Sequence, residues 1–180
     1  MFSQQPNIAI VGSTGAVGQA MVAILEQRKF PVGTLYPLAS ERSAGKTVMF
    51  RKKAVLVKVL ESFDFSDVEI AFFSAGASVS AEHTARAVAA GCVVIDNTSH
   101  FRNDPAIPLV VPEINPHALS SHSGIIANPN CSTIQMVVAL KPIYDAVGIT
   151  RINVCTYQAV SGAGNKAMEE LAGQTAALLN

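Results

Sequence analysis

Residues 7–18 read NIAIVGSTGAVG, a short apolar run followed by glycines at positions 12, 15 and 18. The run Asn7–Val11 has the length of a buried strand, and apolar residues then recur at helical intervals over Ala16–Arg28. A GxxGxxG turn between a strand and a helix is a variant of the dinucleotide-binding fingerprint. It predicts that the turn and the first N–H groups of the helix hold a pyrophosphate, the alternative being a purely structural turn.

The three glycines of this turn have different expected roles. Gly12 allows the tight turn, Gly15 lets the backbone approach the pyrophosphate, and Gly18 permits close packing of the helix on the strand. The residues expected to bind the cofactor here are Gly12, Ser13, Thr14, Gly15, Ala16, Val17 and Gly18. The packed face of the helix is expected to carry Val17, Ala20, Met21, Ile24 and Leu25.

Strand-length apolar runs alternate with helical patterns along the next hundred residues. Strands are predicted at Leu35–Ala39, Val68–Ser74, Val93–Asp96, Leu109–Val111 and Ile125–Ala127, with a possible meander at Thr47–Phe50 and Ala54–Leu60. A helix is predicted over Ser80–Ala90, ending at Gly91, with His83 on its exposed side. Because the main apolar runs are continuous rather than alternating, both faces of the sheet must be covered. The pattern therefore predicts an α/β fold with an open, mostly parallel sheet and flanking helices.

The pattern changes after Ala127. A long helix is predicted over Cys131–Val147, with Pro142 kinking or dividing it, then a strand over Arg151–Val160 and a helix over Asn165–Leu179. We expect residues 1–130 to form one domain and residues 131–180 to begin a second one. Because the apolar stripe of the last helix has no partner in this chain, we also expect self-association or a disordered tail.

Composition narrows the classes of partner. Hydrophobic residues make up 49% of the 180 residues, charged residues 14%, and the formal net charge is zero. These values argue against disorder and against nucleic acid or a membrane surface as a partner. Arg51-Lys52-Lys53 fits a solvated turn or a strand end, and the N-terminal residues fit no signal peptide. Three cysteines without CxxC spacing predict a reducing, cytoplasmic location, and no histidine spacing suits zinc, so no metal site is expected.

The segment after the second predicted strand bears on the choice of cofactor. Ser40, Arg42 and Ser43 offer donors that suit the 2′-phosphate of NADP, whereas an acidic residue there would favour NAD. NADP(H) is the predicted cofactor, on the condition that Glu41 points away; the alternative is an exposed polar loop. Ser74, Ala75 and Gly76, which end another predicted strand, form a small-residue loop that would pass under the cofactor.

Cys131 is the candidate nucleophile. The turn Asn128-Pro129-Asn130 places it at the start of a helix, where free N–H groups and the helix dipole stabilise a thiolate. The alternative, a buried structural cysteine, fits Cys92 and Cys155 better. Asn130 is expected to cap the helix and could also donate to a carbonyl oxygen that becomes negative on attack.

Seven sequence blocks occur in one characteristic order: GSTGAVG, ERSAGK, FFSAG, IDNTSHFR, VPEIN, ANPNCST and YQAVSGAG. In these blocks the chain resembles the N-terminal half of bacterial aspartate-β-semialdehyde dehydrogenases, from Asn7 to about Leu179. The resemblance implies an NADP-binding Rossmann domain followed by the start of an α+β catalytic and dimerisation domain. It also implies a homodimeric or tetrameric full-length protein.

The resemblance further implies a reaction and the residues that perform it. The family reductively dephosphorylates L-aspartyl-4-phosphate to L-aspartate 4-semialdehyde on the way to lysine, methionine and threonine, with inorganic phosphate as the other product. Cys131 would form an acyl-thioester, Arg102 would bind the substrate phosphate, and Gln158 would orient the acyl group. Asn97, Ser161 and Gly162 would lie beside the cofactor, while the alternative for Arg102 is a surface residue paired with Asp104.

Full-length members of that family are about twice as long as this chain. Their acid/base histidine and the arginine that binds the α-carboxylate would lie beyond residue 180, so the 180-residue chain is expected to be inactive or nearly so. Two other functions stay open on the sequence alone. One is N-acetyl-γ-glutamyl-phosphate reductase, and the other is a nucleotide-binding module in which Cys131 has no chemical role.

Overall fold

The computed structural model describes residues 3–179 and places six parallel strands in one sheet. These strands are β1 (Ile8–Val11), β2 (Leu35–Ala39), β5 (Lys58–Val59), β6 (Ile70–Phe73), β7 (Val93–Asp96) and β8 (Ile125–Ala127). Two further strands, β3 (Thr47–Phe50) and β4 (Lys53–Leu56), form an antiparallel hairpin. The helices are α1 (Ala16–Gln27), α2 (Ala77–Ala89), α3 (Cys131–Val147) and α4 (Asn165–Leu179). This architecture confirms the predicted α/β open sheet.

The strand order is β5-β2-β1-β6-β7-β8, so the chain winds outward in both directions from β1. Its pairings on either side, with β2 and with β6, are both parallel. A crevice forms at the carboxyl ends of the strands where the winding direction reverses, and ligands of open α/β sheets bind there. The topology therefore predicts a ligand-binding crevice beside the residues that follow β1 and β6.

Both faces of the sheet are covered, as the continuous apolar strands predict. All four residues of β1 are fully buried. Ala9 and Val11 belong to one core with Phe73, while Ile8 and Ile10 belong to a second core on the other face. Burial on both sides makes β1 the central structural element and fixes the position of the turn that follows it.

The packed face of α1 differs from the predicted one. Its buried residues are Gly18, Val22 and Leu25, whereas Val17 and Ile24 are 37% and 46% exposed. The reason is the close approach at Gly18, where a Cβ would lie 2.2 Å from the Gly12 carbonyl oxygen. Because this contact needs a glycine facing the strand, it sets the rotation of the helix ahead of the side-chain hydrophobicity.

The exposure predicted for His83 is also wrong. The buried residues of α2 are Ser80, His83, Thr84 and Ala87, which follow one another at helical intervals. Ser80 lies on this face because its hydroxyl donates to the buried carboxylate of Asp96 at the end of β7. A residue buried for its hydrogen bond cannot be recognised from hydrophobicity alone.

Between β3 and β8 the structure confirms one further prediction, a turn, and contradicts another, a strand. Arg51 and Lys52 adopt left-handed φ angles of 49° and 62° in the turn between β3 and β4, which confirms the predicted turn. Leu109–Val111 is not a strand, because its ladder contact within residues 3–179 is the single bridge from Leu109 to Ala127.

The part of the chain after β8 packs loosely. α3 runs through Pro142 as one helix, so of the two predicted effects Pro142 does not divide it, and neither α3 nor α4 has a buried residue. The strand predicted over Arg151–Val160 is absent from the described residues: this segment is exposed, and Val160 begins the short 3₁₀ helix Val160–Ala163. A strand needs a partner to satisfy its N–H and C=O groups, and no neighbouring strand meets this segment within residues 3–179. No helix in the described part of the chain is long and apolar enough to cross a membrane.

Candidate active site

A cavity of about 570 Å³ opens at the carboxyl ends of β1, β6 and β7. It lies where the winding direction of the sheet reverses, and it collects segments that are far apart in sequence. The predicted cofactor-binding residues that line it are Gly12, Thr14, Gly15, Ala16, Val17, Arg42, Ser74, Ala75, Gly76, Asn97, Ser161 and Gly162. Thr98 and Ser99 also line it, although no sequence pattern had singled them out.

Backbone hydrogen bonds set the shape of the glycine turn. Gly12 has a φ of +89°, its N–H donates to the Leu38 carbonyl at 2.9 Å, and its own carbonyl accepts from Gly15 N–H at 3.0 Å. A Cβ at position 12 would lie 3.0 Å from the backbone nitrogen of Ala75. The turn therefore approaches the Ser74–Gly76 loop closely because position 12 has no side chain.

Four predicted cofactor-binding residues lie outside the lining of this cavity, taken over residues 3–179. Ser13 is fully buried and its hydroxyl donates to the Leu38 carbonyl at 3.2 Å, so it stabilises the turn by a hydrogen bond to the end of β2. Gly18 is buried between α1 and β1. Ser40 and Ser43 flank Arg42, and the Ser43 Oγ accepts from Thr14 Oγ1 at 3.5 Å.

Asp96 is a buried carboxylate that the sequence analysis did not select. It is fully buried, and its Oδ1 accepts from Thr98 N–H at 2.8 Å and from Ser80 Oγ at 3.1 Å. Its Oδ2 accepts from Thr98 Oγ1 at 3.0 Å. These bonds hold the loop that carries Asn97 and Ser99 to the cavity. An acidic residue at the carboxyl end of a continuous apolar strand is the signal that could have identified it.

The turn before α3 presents Cys131 at the N-terminus of that helix. The Asn130 side chain accepts from Ser132 N–H at 3.1 Å and from Ser132 Oγ at 2.7 Å, which confirms the predicted cap. Cys131 is exposed, and its thiol donates to Asn130 Oδ1 at 3.8 Å. Cys131 is thus accessible to a reagent or substrate and begins a 17-residue helix.

The other two cysteines differ from each other. Cys92 is buried as predicted, its thiol donates to the Val68 carbonyl at 3.0 Å, and burial raises its pKa to about 11. Cys155 is exposed, so the prediction that it is a buried structural cysteine is wrong. It is exposed because the segment around it pairs with no strand within residues 3–179.

Arg102 connects two loops through its guanidinium group. Its Nε donates to the Asn128 carbonyl and its Nη2 to the Asn97 carbonyl, both at 3.0 Å. It therefore does not act as the surface partner of Asp104, whose Oδ1 accepts from Ala106 N–H. Among the described residues, Nη1 is the guanidinium nitrogen that has no hydrogen bond.

The structure brings the predicted site residues together only in part. Asn130, Cys131, Arg102 and Gln158 do not line the 570 Å³ cavity within residues 3–179. Arg102 donates a hydrogen bond to the carbonyl of Asn97, which lines the cavity. Gln158 lies in the exposed segment before the Val160–Ala163 helix. The Gln158 amide donates to Thr156 Oγ1 at 3.4 Å.

Comparison with known families gives two matches on this chain. The NAD-binding domain of semialdehyde dehydrogenases matches residues 7–122. The dimerisation domain of semialdehyde dehydrogenases matches residues 140–180. The first match covers the glycine turn, Arg42 and Asn97, and the second covers Gln158, Ser161 and Gly162.

Comparison with individual proteins indicates the same family as the two domain matches. Aspartate-semialdehyde dehydrogenase 2 of Vibrio cholerae is 64% identical over 181 residues, which cover 99% of this chain and 54% of that protein. The crystal structure of aspartate semialdehyde dehydrogenase II from Vibrio cholerae, complexed with ASA, has a TM-score of 0.95 at 63% identity and covers 99% of this chain and 54% of its own.

A more distant neighbour is a structure with a bound cofactor. The aspartate semialdehyde dehydrogenase of Candida albicans with NADP has a TM-score of 0.67 at 27% identity, covering 80% of this chain and 48% of its own. The chain spans about half the length of the relatives it matches, and it corresponds to their N-terminal half.

Proposed function

The chain belongs to the semialdehyde dehydrogenase family, and we propose that its protein reduces L-aspartyl-4-phosphate to L-aspartate 4-semialdehyde with NADPH. The observation that carries the proposal is the cavity at the reversal of the sheet. It gathers the glycine turn, Arg42 and the Ser161-Gly162 backbone around one space of about 570 Å³. A volume of this size lies within the range that cofactor sites occupy.

The residues around the cavity fit a dinucleotide. A Cβ at position 12 would lie 3.0 Å from Ala75, so the turn requires a glycine there. The turn leads into α1, whose first residues Ala16 and Val17 line the cavity, and N–H groups at a helix start bind a pyrophosphate. Arg42 lines the same cavity between Ser40 and Ser43, and these donors suit the 2′-phosphate that distinguishes NADP from NAD. Bound NADPH would supply the hydride for the reaction. The Candida albicans neighbour that contains NADP supports the same cofactor class.

Cys131 is the proposed nucleophile. It is exposed at the first position of α3, and its thiolate would be the attacking species. The thiolate attacks the carbonyl carbon of the acyl phosphate, and the C–O bond to phosphate breaks, so inorganic phosphate leaves and an acyl-thioester remains on Cys131. Because Asn130 Oδ1 accepts from Ser132, its Nδ2 is the group left to donate to the oxyanion.

Arg102 and Gln158 are the proposed substrate-binding residues of this half. Arg102 uses Nε and Nη2 on backbone carbonyls, so its Nη1 is available to the substrate phosphate. Gln158 would orient the acyl group once the exposed segment around it is covered by the rest of the protein. Both roles rest on the matching family blocks.

The domain division and the assembly complete the proposal. Residues 1–130 would form the NADP-binding domain, and residues 131–180 would begin the catalytic and dimerisation domain of a homodimer or tetramer. The protein would act in the cytoplasm on the route to lysine, methionine and threonine. The 180-residue chain alone would have little or no activity.

The test is turnover by the full-length protein in an NADPH oxidation assay. L-aspartyl-4-phosphate should be reduced, and Cys131→Ser should lower kcat by at least about 1,000-fold. Cys155→Ser is the matched control because Cys155 is also exposed, and it should retain activity. Preference for N-acetyl-γ-glutamyl phosphate, or NADPH binding without turnover of either acyl phosphate, would refute the proposal.

The cofactor assignment has its own measurement. The affinities for NADP and NAD should differ in favour of NADP, and Arg42→Ala should remove most of that preference while leaving NAD affinity nearly unchanged. An Arg42→Ala variant that binds NADP as tightly as the unmodified protein would contradict the assignment.

A further inference from the structure

Two asparagines follow neighbouring strands at the edge of the cavity. β7 and β8 are parallel, and their register pairs Asp96 with Ala127, so Asn97 and Asn128 emerge side by side. The Asn128 N–H donates to the Asp96 carbonyl at 3.1 Å, which continues the ladder by one step. The Asn128 Nδ2 then donates to Asn97 Oδ1 at 2.7 Å.

Arg102 joins the same two residues through their backbones. Its Nε donates to the Asn128 carbonyl and its Nη2 to the Asn97 carbonyl, each at 3.0 Å. Hydrogen bonds from a guanidinium group are stronger than those between neutral groups. The three residues Asn97, Arg102 and Asn128 are here called the asparagine bracket. Two of their hydrogen bonds tie the loop after β7 to the turn after β8, and the third, from Arg102 to the Asn97 carbonyl, holds Arg102 within the loop after β7.

One side of the asparagine bracket belongs to the cofactor cavity. Asn97 lines that cavity together with Thr98 and Ser99. Because Asn97 Oδ1 accepts from Asn128, the polar atom that Asn97 has left for a ligand is its Nδ2 donor. Asn128 thus determines which group of Asn97 is available to the cavity.

The other side leads to the nucleophile through two constrained residues. Pro129 is buried, and its ring fixes its φ angle. Asn130 is held by its cap bonds to Ser132. Because these constraints limit the torsions between Asn128 and Cys131, we expect a shift at Asn128 to reach Cys131.

We propose that Asn128 is a positioning residue that, through the asparagine bracket, holds Cys131 in a set position relative to the cofactor cavity. It acts through Asn97 and Cys131 and not on the reacting atoms. The inference rests on the function proposed above, because it takes Cys131 as the nucleophile and the cavity as the cofactor site.

The test uses the full-length protein and compares three variants. Asn128→Ala removes the amide, and Asn128→Asp keeps its size but places a carboxylate oxygen against Asn97 Oδ1. Asn115→Ala is the matched control: Asn115 also bridges two backbone groups, with Nδ2 donating to the Leu109 carbonyl and Oδ1 accepting from Val111 N–H. The measurements are kcat, KM for NADPH, the thermal midpoint, and the rate of Cys131 alkylation with and without saturating NADP.

Both Asn128 variants should lower kcat by about 10-fold to 100-fold and change KM for NADPH much less, since displacement of a reacting group by about 1 Å has effects of this size. In the unmodified protein NADP should slow Cys131 alkylation, and in the Asn128 variants this protection should be largely lost although NADP still binds. Asn115→Ala should leave kcat and protection unchanged even where it lowers the thermal midpoint. If Asn128→Ala does not fold, the isosteric Asn128→Asp variant decides the question by the same criteria.

The results distinguish a wrong positioning role for Asn128 from a wrong proposed function. If the unmodified protein shows turnover and protection but the Asn128 variants keep both within about twofold, or lose both only in proportion to stability as Asn115→Ala does, the positioning role is wrong and the proposed function stands. If the unmodified protein shows neither turnover nor any effect of NADP on Cys131, the proposed function is wrong and the positioning role is overturned with it.

Discussion

At position 18 a hydrogen atom is the largest side chain that the contact between α1 and β1 accommodates. A Cβ there would lie 2.2 Å from the Gly12 carbonyl oxygen and 2.7 Å from the Ser13 Cα, both backbone atoms of the glycine turn. Gly18→Ala should therefore push the helix away from the turn, lower the free energy of unfolding by about 1–3 kcal/mol and weaken NADP binding. Urea unfolding and NADP titration measure the two effects.

Gly173→Ala is the control for this prediction. Gly173 lies in α4 with no atom within 4 Å of its added Cβ, so alanine should stabilise that helix by up to about 1 kcal/mol and leave NADP binding unchanged. A Gly18→Ala variant as stable as the unmodified protein would show that the turn can move aside.

Cys92 predicts how stability depends on alkaline pH. Burial raises its pKa to about 11, whereas the unfolded thiol ionises near its ordinary value of 9.0. Between these values the unfolded state releases the proton and the folded state keeps it, so unfolding becomes easier as the pH rises. The contribution is complete below pH 9.0 and is lost as the pH passes about 11.

The measurement is the free energy of unfolding of the unmodified protein and of Cys92→Ala from about pH 8 to about pH 11. The unmodified protein should lose up to about 2 kcal/mol more than the variant over this range. Cys92→Ala controls for the tyrosines and lysines that titrate in the same range. Two curves that stay parallel would show that Cys92 ionises equally in both states.

At the scale of the element, Asn130 has two functions at the start of α3 that substitution can separate. Its Oδ1 caps the helix through Ser132, and its Nδ2 is the proposed donor to the oxyanion. Asn130→Ala should cost about 1 kcal/mol of stability because a cap is lost, and should also reduce kcat. Asn130→Asp keeps an acceptor for the cap but has no donor, so it should retain stability and lose activity.

Hydrogen exchange at the first turn of α3 and kcat of the full-length protein measure these two functions independently. Equal protection of that turn in Asn130→Ala and in the unmodified protein would exclude the capping contribution. Full activity in Asn130→Asp would exclude the donor.

The elements that could be predicted from the sequence are those defined by local patterns. β2, β7, β8, α3 and α4 have the predicted bounds, since each combines an apolar period with a turn or cap residue at its end. The strand predicted over Arg151–Val160 failed because pairing depends on a partner strand that no local pattern reveals. The rotation of α1 failed because one backbone contact at Gly18 outweighed the hydrophobic period.

The candidate site likewise combines a part that local sequence patterns predict with a part that they do not. The glycine turn could be predicted because its chemistry is contained in seven consecutive residues. The hydrogen-bond partners of Asp96 and of the asparagine bracket could not, because they come from distant segments: Ser80 and Asp96 are 16 residues apart, and Asn97 and Asn128 are 31 apart. Hydrogen-bond networks across strand ends require the topology before they can be recognised.

Across the whole molecule, packing quality changes at about residue 130. The sheet carries two buried cores, whereas α3 and α4 have no buried residue. The fully buried β1 and the bonds of Asp96 fix one wall of the cavity in the well-packed part, whereas Ser161 and Gly162 line it from the loosely packed part. The proposed NADP binding by the 180-residue chain therefore depends on both parts, and it can be measured separately from catalytic activity.

The exposed apolar surface from the end of α3 onward predicts self-association of the 180-residue chain. Val147, Tyr157 and Leu178 are 80%, 101% and 87% exposed, and they lie in the segments that match the dimerisation domain. Burying one such side chain contributes about 1.5–3 kcal/mol, so Leu178→Glu should weaken association by roughly 10-fold or more. Met49→Glu is the control, because Met49 is 59% exposed on β3, outside that region. Light scattering over a concentration series measures both, and a monodisperse monomer at every concentration would contradict the prediction.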